Sequence, residues 1–140
     1  MGTRVVVDTN VLISALGWDA KPETCLEQVF HGQVAGYISP DMLDELTRVM
    51  DYPRFAFTDD EKQSFVEIIL ASFHVVEPGI SLSVVDDDPD DDMVLECAVA
   101  GDADYIVSGD SHLQALDTYQ DIDIVSPAAF LDIHEQDSRS

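Results

Sequence analysis

Short runs of β-branched and aromatic residues alternate with helix-like segments along the chain, and this alternation restricts the fold more than any other feature. The runs are typical of strands that are buried on both faces of a sheet. We predict strands at residues 4–7, 35–38, 74–77, 105–107 and 122–125. Helices are predicted at residues 10–16, 22–32, 40–50, 93–100, 111–116 and 127–134, with a further helix that begins after Thr58. Strands separated by helices form βαβ units, so we expect an α/β fold with three layers, α/β/α, and a central mostly parallel sheet.

The length fits one domain, because 140 residues lie within the usual range of about 100–200 residues per domain. We place a single domain at residues 1–135 and expect a disordered C-terminal tail at 136–140. The sequence shows no basic-then-apolar leader, and no apolar run approaches the roughly 18 residues of a membrane helix. Cys25 and Cys97 lack the spacing of a zinc site or a disulfide framework. These features predict a reduced, cytoplasmic protein with no membrane partner.

The net charge of the chain is extreme for a folded domain. Six Lys and Arg stand against 29 Asp and Glu, which gives a formal net charge of −23. The hydrophobic content of 46% nevertheless opposes disorder, which combines high charge with low hydrophobicity. The small number of Lys and Arg residues excludes the class of proteins that bind nucleic acid on a broad basic face, since such binding needs several Lys or Arg on phosphates. We hypothesise a halophilic source, because concentrated salt screens the repulsion between like charges.

Acidic residues follow two of the predicted strands and precede or occupy two of the predicted helices. Asp8 directly follows the first strand, and Asp110 comes shortly after the strand at 105–107. Asp90–Asp92 lead into the helix that begins at residue 93, and Glu45 lies about one turn into the helix after the second strand. Ligands of a parallel sheet bind beyond the carboxyl ends of its strands, and helix side chains lean toward the helix N-terminus. We therefore expect these carboxylates to converge at one edge of the sheet.

A cluster of carboxylates without a basic partner must either take up protons or bind a cation. At about 4 Å, two like charges repel by about 4 kcal/mol at an effective dielectric constant of about 20. Oxygen ligands without Cys or His select hard ions, above all Mg²⁺ or Mn²⁺. We predict a divalent-metal site for phosphate chemistry, with the candidate ligands Asp8, Asp92, Asp110, Glu45 and Asp90. Asp90 and Asp92 stay alternatives, because the helix dipole favours an acid at either position.

Other kinds of site do not fit the sequence. Glycine-rich phosphate loops and the nucleophile elbow of hydrolases are absent, and the acidic run does not match a calcium-binding loop. A haloacid-dehalogenase phosphatase requires a second Asp two residues after Asp8, where Asn10 stands. A phosphotransfer receiver requires a Lys where Ser126 and Pro127 stand. The simpler roles of Asn10 and Ser108 are to cap a helix or close a turn.

Four acidic motifs stand in a fixed order along the chain. They are Val5-Val6-Val7-Asp8-Thr9-Asn10, Ile38-Ser39-Pro40 with Leu43-Asp44-Glu45-Leu46, Asp88-Pro89-Asp90-Asp91-Asp92, and Ala103-Asp104-Tyr105-Ile106-Val107-Ser108-Gly109-Asp110. With these motifs, the chain resembles the PIN domain family, the fold of the VapC-type toxin ribonucleases, over about residues 4–133. It is most similar to the small prokaryotic PIN domains of toxin–antitoxin systems. A single Asp-Thr-Asn motif would be weak, but four motifs in order across one domain are specific.

The resemblance implies a metal-dependent endonuclease that acts on RNA, here as the toxin of a type II toxin–antitoxin pair. It implies that Asp8, Asp92 and Asp110 ligate one or two Mg²⁺ or Mn²⁺ ions, and that Glu45 ligates directly or through water. The register of the family pattern favours Asp92 over Asp90. Asn10 and Ser108 would hold these ligands or their bound waters in place. The resemblance also implies a homodimer and a small antitoxin protein that covers the site.

Two arginines are candidates for contact with the RNA substrate. Arg48 lies three residues after Glu45, nearly on the same helix face, and Arg54 follows shortly. A surface ion pair is the simpler role for each of them. Two other functions are compatible with the sequence: a PIN-like module that binds a partner or a metal without cutting, and a solitary RNA-processing nuclease.

Overall fold

The structure, a computed structural model, describes residues 3–17, 20–79 and 89–139 of the chain. Its strands are β1 (Thr3–Val7), β2 (Val34–Ile38), β3 (Phe73–Val75), β4 (Tyr105–Val107), β5 (Thr118–Tyr119) and β6 (Ile122–Val125). Its helices are α1 (Thr9–Gly17), α2 (Ala20–Phe30), α3 (Pro40–Met50), α4 (Asp59–Ser72), α5 (Pro89–Ala100), α6 (Ser111–Leu116) and α7 (Pro127–Arg139), with a short 3₁₀ turn at Pro53–Phe55. The predicted alternation of strands and helices is confirmed.

The strands form one six-stranded sheet in the order β3-β2-β1-β4-β6-β5. The first five strands of this order pair in parallel, and only β5 runs antiparallel to its neighbour β6. β1 is central, with Val5 opposite Gly36 on one side and Tyr105 on the other. The chain moves outward from β1 to β3 and then continues on the other side of β1, so right-handed crossovers place helices on both faces. The predicted α/β/α fold with a mostly parallel sheet is confirmed.

The core lies on both faces of β1 and under the helices that cover it. Val5, Val6 and Val7 are all buried, as expected of a parallel strand that has no solvent face. On α3, the apolar residues Met42, Leu46 and Met50 recur every four residues and are buried. Within the described ranges, no helix combines the length and the apolar character that a membrane crossing requires.

Local capping signals set the starts of α3 and α4. Ser39 Oγ accepts a hydrogen bond from Met42 N at 3.2 Å, and Pro40 occupies the first turn of α3. Thr58 Oγ1 accepts from Glu61 N at 3.1 Å, and Glu61 Oε1 accepts from Thr58 N at 2.9 Å. This reciprocal pair is a capping box, and both helix starts agree with the sequence prediction.

Several element boundaries differ from the prediction, and one strand was missed. α5 begins at Pro89, so the prediction that Asp90–Asp92 lie in a loop was wrong. A proline in the first turn and acids near the positive end of the helix dipole both favour this earlier start. The two-residue strand β5 was missed, because it is too short to show a pattern, and β3 begins at Phe73. α7 continues to Arg139, past the predicted end at residue 134, and the tail at 136–140 stays a prediction.

Candidate active site

Asp8 is the first residue after the central strand β1. Its backbone N–H donates to Val107 O at 3.0 Å, which ties the carboxyl end of β1 to that of β4. The residue is only 4% exposed. β1 and β4 flank the point at which the chain changes direction across the sheet, and open α/β sheets bind their ligands at this point. Asp8 therefore lies where a ligand is expected, and it is buried there.

Three donors hold the Asp8 carboxylate in place. Ser108 Oγ donates to Oδ2 at 2.8 Å, Thr9 Oγ1 donates to Oδ1 at 3.4 Å, and the backbone N–H of Asn10 also donates to this side chain. Desolvation by burial is the largest influence and raises the pKa of Asp8 above its ordinary value of 3.8. The nearby Asp110 carboxylate also raises this pKa, whereas the three donors lower it. The net effect is a raised pKa, so the Asp8 carboxyl group keeps its proton to a higher pH than an exposed Asp does.

Asp110 caps helix α6 and is joined to Asp8 through one hydroxyl group. Its Oδ1 accepts from the backbone N–H groups of His112 at 2.8 Å and Leu113 at 3.1 Å. Its own backbone N–H donates to Ser108 Oγ at 3.0 Å. The same Oγ donates to Asp8, so a fully buried serine connects the two acidic residues. The structure thus brings together Asp8, Ser108 and Asp110, which the sequence analysis places at one edge of the sheet.

Two further residues, to which the sequence analysis gave no role, support this arrangement. Thr9 is 2% exposed and donates to Asp8, and its position directly after Asp8 was the available signal. Gln114 Nε2 donates to Ser108 O at 2.8 Å and so ties α6 to the loop that carries Asp110. No local pattern reveals the Gln114 contact, because it depends on the direction that α6 takes after the loop.

The remaining predicted site residues lie on α3, α5 and the segment after α3. Asp92 lies near the start of α5 and is 7% exposed. Glu45 is half-buried on α3, and Arg48 is exposed in the last turn of that helix. The side chains of Asp90 and Arg54 lie outside the described part of the structure. The roles that we predict for these five residues stay predictions.

The donor chemistry of the site suits a hard divalent cation. Asp8 and Asp110 offer only oxygen ligands, and their mutual repulsion is the kind that a bound cation relieves. Among the side chains that the structure describes, however, no group of three or more Asp, Glu, His or Cys is arranged to hold a metal ion. The two carboxylates therefore fit Mg²⁺ or Mn²⁺ in type, and the identity of a third ligand stays a prediction.

A cavity of about 530 Å³ opens beside Asp110. Asn10, Ser14, Gly109 and Pro127 are among the residues that line it. Its volume falls within the range of about 300–1,000 Å³ that is typical of ligand pockets. The buried carboxylate of Asp8 thus has a more accessible acidic neighbour that faces an open space.

Comparison with known proteins supports the family resemblance. A family model described as the PIN domain matches residues 4–112. Among solved structures, the chain is similar to VapBC2 from Rickettsia felis, whose crystal structure contains a DNA fragment from the VapBC2 promoter. The match has a TM-score of 0.62 at 14% sequence identity and covers 87% of this chain and 97% of that chain, so it shows a shared fold. No curated protein matches the sequence. Because the family model covers well over half of its length, the chain belongs to the PIN domain family.

Proposed function

We propose that the protein is a divalent-metal-dependent endoribonuclease that hydrolyses RNA phosphodiester bonds. Membership of the PIN domain family supports a nuclease, because PIN domains are generally nucleases. The observation that carries the proposal is that Ser108 Oγ donates to the Asp8 carboxylate and accepts from the Asp110 backbone N–H, which holds two acidic residues together beyond the ends of two adjacent strands. Two acids that repel each other at the ligand edge of a parallel sheet are suited to a cation.

Asp8, Asp92 and Asp110 are the residues that would hold Mg²⁺ or Mn²⁺, with Glu45 acting directly or through water and Asp90 as the alternative to Asp92. When bound, the metal supplies an activated water and charge stabilisation for the leaving oxygen. Burial of Asp8 keeps bulk water away from its carboxylate. Because the Asp8 carboxylate is largely shielded from water, its electrostatic attraction to a bound cation would be stronger than that of an exposed carboxylate.

Ser108 and Thr9 hold the Asp8 carboxylate, the first of the proposed ligands, in one orientation. Ser108 Oγ and Thr9 Oγ1 donate to different oxygens of Asp8, so its carboxylate plane is fixed from both sides. The Asp110 backbone is held by the same serine, and its side chain is oriented by the first turn of α6. Such positioning sets the geometry of the site before RNA arrives. Asn10 is among the residues that line the adjacent cavity, and this supports our proposal that it orients a water or a phosphate oxygen there.

The proposed biological role is that of a toxin in a type II toxin–antitoxin pair. The structural neighbour VapBC2 is a complex bound to promoter DNA, and this supports an antitoxin partner for a chain of the same fold. We further propose a homodimer in the cytoplasm of a halophilic organism. The net charge of −23 supports the halophilic source, because such a surface is best tolerated in concentrated salt.

Cleavage of pooled single-stranded RNA by the purified protein tests this proposal. The reaction contains molar KCl with Mn²⁺ or Mg²⁺, and parallel reactions contain EDTA or the Asp8→Asn variant. Asp123→Asn is the matched control, because it removes an exposed carboxylate from β6 without touching the site. We expect the wild type and Asp123→Asn to cut in the presence of metal, and EDTA and Asp8→Asn to abolish cutting.

A folded wild-type protein that cuts no RNA with either metal would contradict the proposal. It would favour a PIN-like module that binds a partner without cutting. Cutting by a protein whose gene has no antitoxin neighbour would instead indicate a solitary RNA-processing nuclease.

A further inference from the structure

Two polar side chains, one turn apart on α1, line the cavity of about 530 Å³ beside Asp110. They are Asn10 and Ser14, and residues four apart lie on the same face of a helix. Ser14 is half-buried, whereas its chain neighbours Ile13 and Ala15 are buried in the core. The helix α1 therefore packs its apolar residues inward and turns a polar edge to the cavity.

The hydrogen-bonding capacity of this polar edge is unused within the protein. Within the described ranges, neither the Asn10 amide nor the Ser14 hydroxyl forms a side-chain hydrogen bond. An amide offers two donors and one acceptor oxygen, and a hydroxyl group both donates and accepts. The edge is thus suited to a ligand that carries donors and acceptors side by side.

The rest of the described lining is mostly apolar and carries little charge. Val11 and Pro127 contribute apolar surface, and Asp110 is the one charged residue among the described residues around the cavity. Gly109 adds no side chain next to this acid, and a Cβ there would meet no atom within 4 Å. In a chain of net charge −23, such a cavity repels an anionic substrate less than most of the surface does. Its apolar wall and polar edge fit the face and the edge of a nucleobase.

We propose that this cavity holds the unpaired base of the RNA nucleotide next to the cleaved bond, and that Ser14 helps to determine which base is preferred. This inference rests on the proposed function and names how its substrate is selected. Asp110 lines the cavity and is also a proposed metal ligand, so a phosphate at the metal brings the adjoining nucleotide to the cavity. Asn10 and Ser14 then bond to the edge of the base, as proteins read single-stranded RNA. Such bonds to a neutral base need no basic residues, of which this chain has few.

The test compares the bases on either side of the cut. A pool of short single-stranded RNAs of random sequence is cut in molar KCl with Mn²⁺, and sequencing of the cut ends gives the base frequencies. KM and kcat are then measured on the preferred sequence. The variants are Ser14→Ala, which removes the hydroxyl group, Ser14→Thr, which keeps it, and Ser14→Leu, which fills part of the cavity. Ser64→Ala is the matched control, because Ser64 is an exposed serine on α4, away from the described lining of the cavity.

We expect Ser14→Ala to raise KM by about 2-fold to 12-fold, the net contribution of one hydrogen bond. Its kcat should stay within about twofold of the wild-type value, because the lost bond holds the substrate and not the reacting atoms. The base preference beside the cut should weaken in Ser14→Ala, persist in Ser14→Thr and change most in Ser14→Leu. Ser64→Ala should match the wild type in KM and in base preference.

Wild-type KM and base frequencies in Ser14→Leu would overturn the proposal, because a base that occupies the cavity must meet the added bulk. Equal effects of Ser14→Ala and Ser64→Ala would also contradict it. So would a lower kcat of Ser14→Ala with unchanged base frequencies, since Ser14 would then only support the structure of α1.

A binding measurement separates this inference from the proposed function. The fluorescent RNA pool is titrated with the Asp8→Asn protein, with and without Ser14→Leu, and binding is followed by anisotropy. Binding that Ser14→Leu weakens, in a protein whose wild type does not cut RNA, would keep the base cavity and reject the nuclease. Cutting that depends on Asp8 but ignores Ser14 would keep the nuclease and reject the cavity. A wild type that neither cuts nor binds RNA would reject both.

Discussion

Ser108→Ala should destabilise the metal-free protein much more at neutral pH than at acid pH. Ser108 is fully buried, and its Oγ makes two contacts that an alanine cannot replace. It donates to Asp8 Oδ2 at 2.8 Å and accepts from Asp110 N at 3.0 Å. The substitution therefore removes one donor from a buried carboxylate and one acceptor from a backbone N–H.

The pH dependence follows from the pKa of Asp8. Burial raises this pKa above the ordinary value of 3.8, and the hydrogen bond from Ser108 opposes the rise. Because the folded-state pKa is the higher one, the folded protein binds more protons than the unfolded chain, and stability falls as pH rises from 3.8 through the folded-state pKa. Without Ser108 the folded-state pKa rises further. The variant therefore loses more stability than the wild type over the same rise in pH.

The size of the effect can be worked out from the two contacts. At acid pH, where Asp8 is protonated, the variant loses neutral hydrogen bonds, which together contribute about 1–2 kcal/mol to the free energy of unfolding. Above the folded-state pKa, one of the lost bonds is to a buried charge, and the total loss grows to about 2–4 kcal/mol. The difference of about 1–2 kcal/mol between the two pH ranges is the quantity to measure.

Urea unfolding followed by circular dichroism measures this quantity, in molar KCl with EDTA and at several values between about pH 4 and pH 8. The control is Ser39→Ala, because Ser39 is 1% exposed and its Oγ accepts from Met42 N at 3.2 Å as the cap of α3. Loss of that cap should cost about 1 kcal/mol at every pH. A second control repeats Ser108→Ala in the Asp8→Asn background, where the pH dependence should disappear.

Equal losses for Ser108→Ala across the pH range would refute the reasoning, since the serine would then contribute packing alone. The same pH dependence for Ser39→Ala would also contradict this prediction. That result would trace the effect to the general titration of an acidic protein rather than to the Asp8 carboxyl.

Two further predictions concern packing and salt. Gly36→Ala should lower the free energy of unfolding by about 1–3 kcal/mol in urea, because a Cβ there would lie 2.7 Å from ring carbons of Phe73 and 2.9 Å from Val29 Cγ1. Gly79→Ala, where no atom lies within 4 Å of the added Cβ, is its control, and equal losses for the two would show that the close contact is not the cause. The thermal midpoint should rise steadily from dilute buffer to molar KCl, because screening relieves the repulsion of a −23 chain. A midpoint that does not change with salt would count against a halophilic source.

The local sequence was sufficient to locate most elements, because their signals are local. Three consecutive valines mark the buried centre of β1, and the reciprocal pair of Thr58 and Glu61 marks the start of α4. The start of α5 was missed because its acids suit a solvated loop as well as a first helical turn. The order of the strands could not be predicted, since it depends on which strands pair across long separations. β1 and β4 are neighbours although about one hundred residues separate them.

The site was predictable in its residue types but not in its contacts. The rule that parallel strands end at one edge was enough to place Asp8 and Asp110 together. That rule does not reveal that one hydroxyl group, of Ser108, contacts both residues, because this requires the register between β1 and β4. The contact of Gln114 with the Ser108 carbonyl was equally hidden, since it depends on how α6 leaves the loop.

Burial, rather than charge, distinguishes two of the candidate ligands, Asp8 and Asp92, from the other described aspartates of this acidic chain. The sequence contains 21 aspartates, so the presence of an Asp at any position says little about function. Among the residues that the structure describes, only Asp8 and Asp92 are buried aspartates, and both were selected from their place at a strand end or a helix start. A buried carboxylate lowers the stability of the free protein, whereas an exposed one is tolerated in salt at little cost. A divalent cation bound at Asp8 and Asp92, as we propose, would recover that cost.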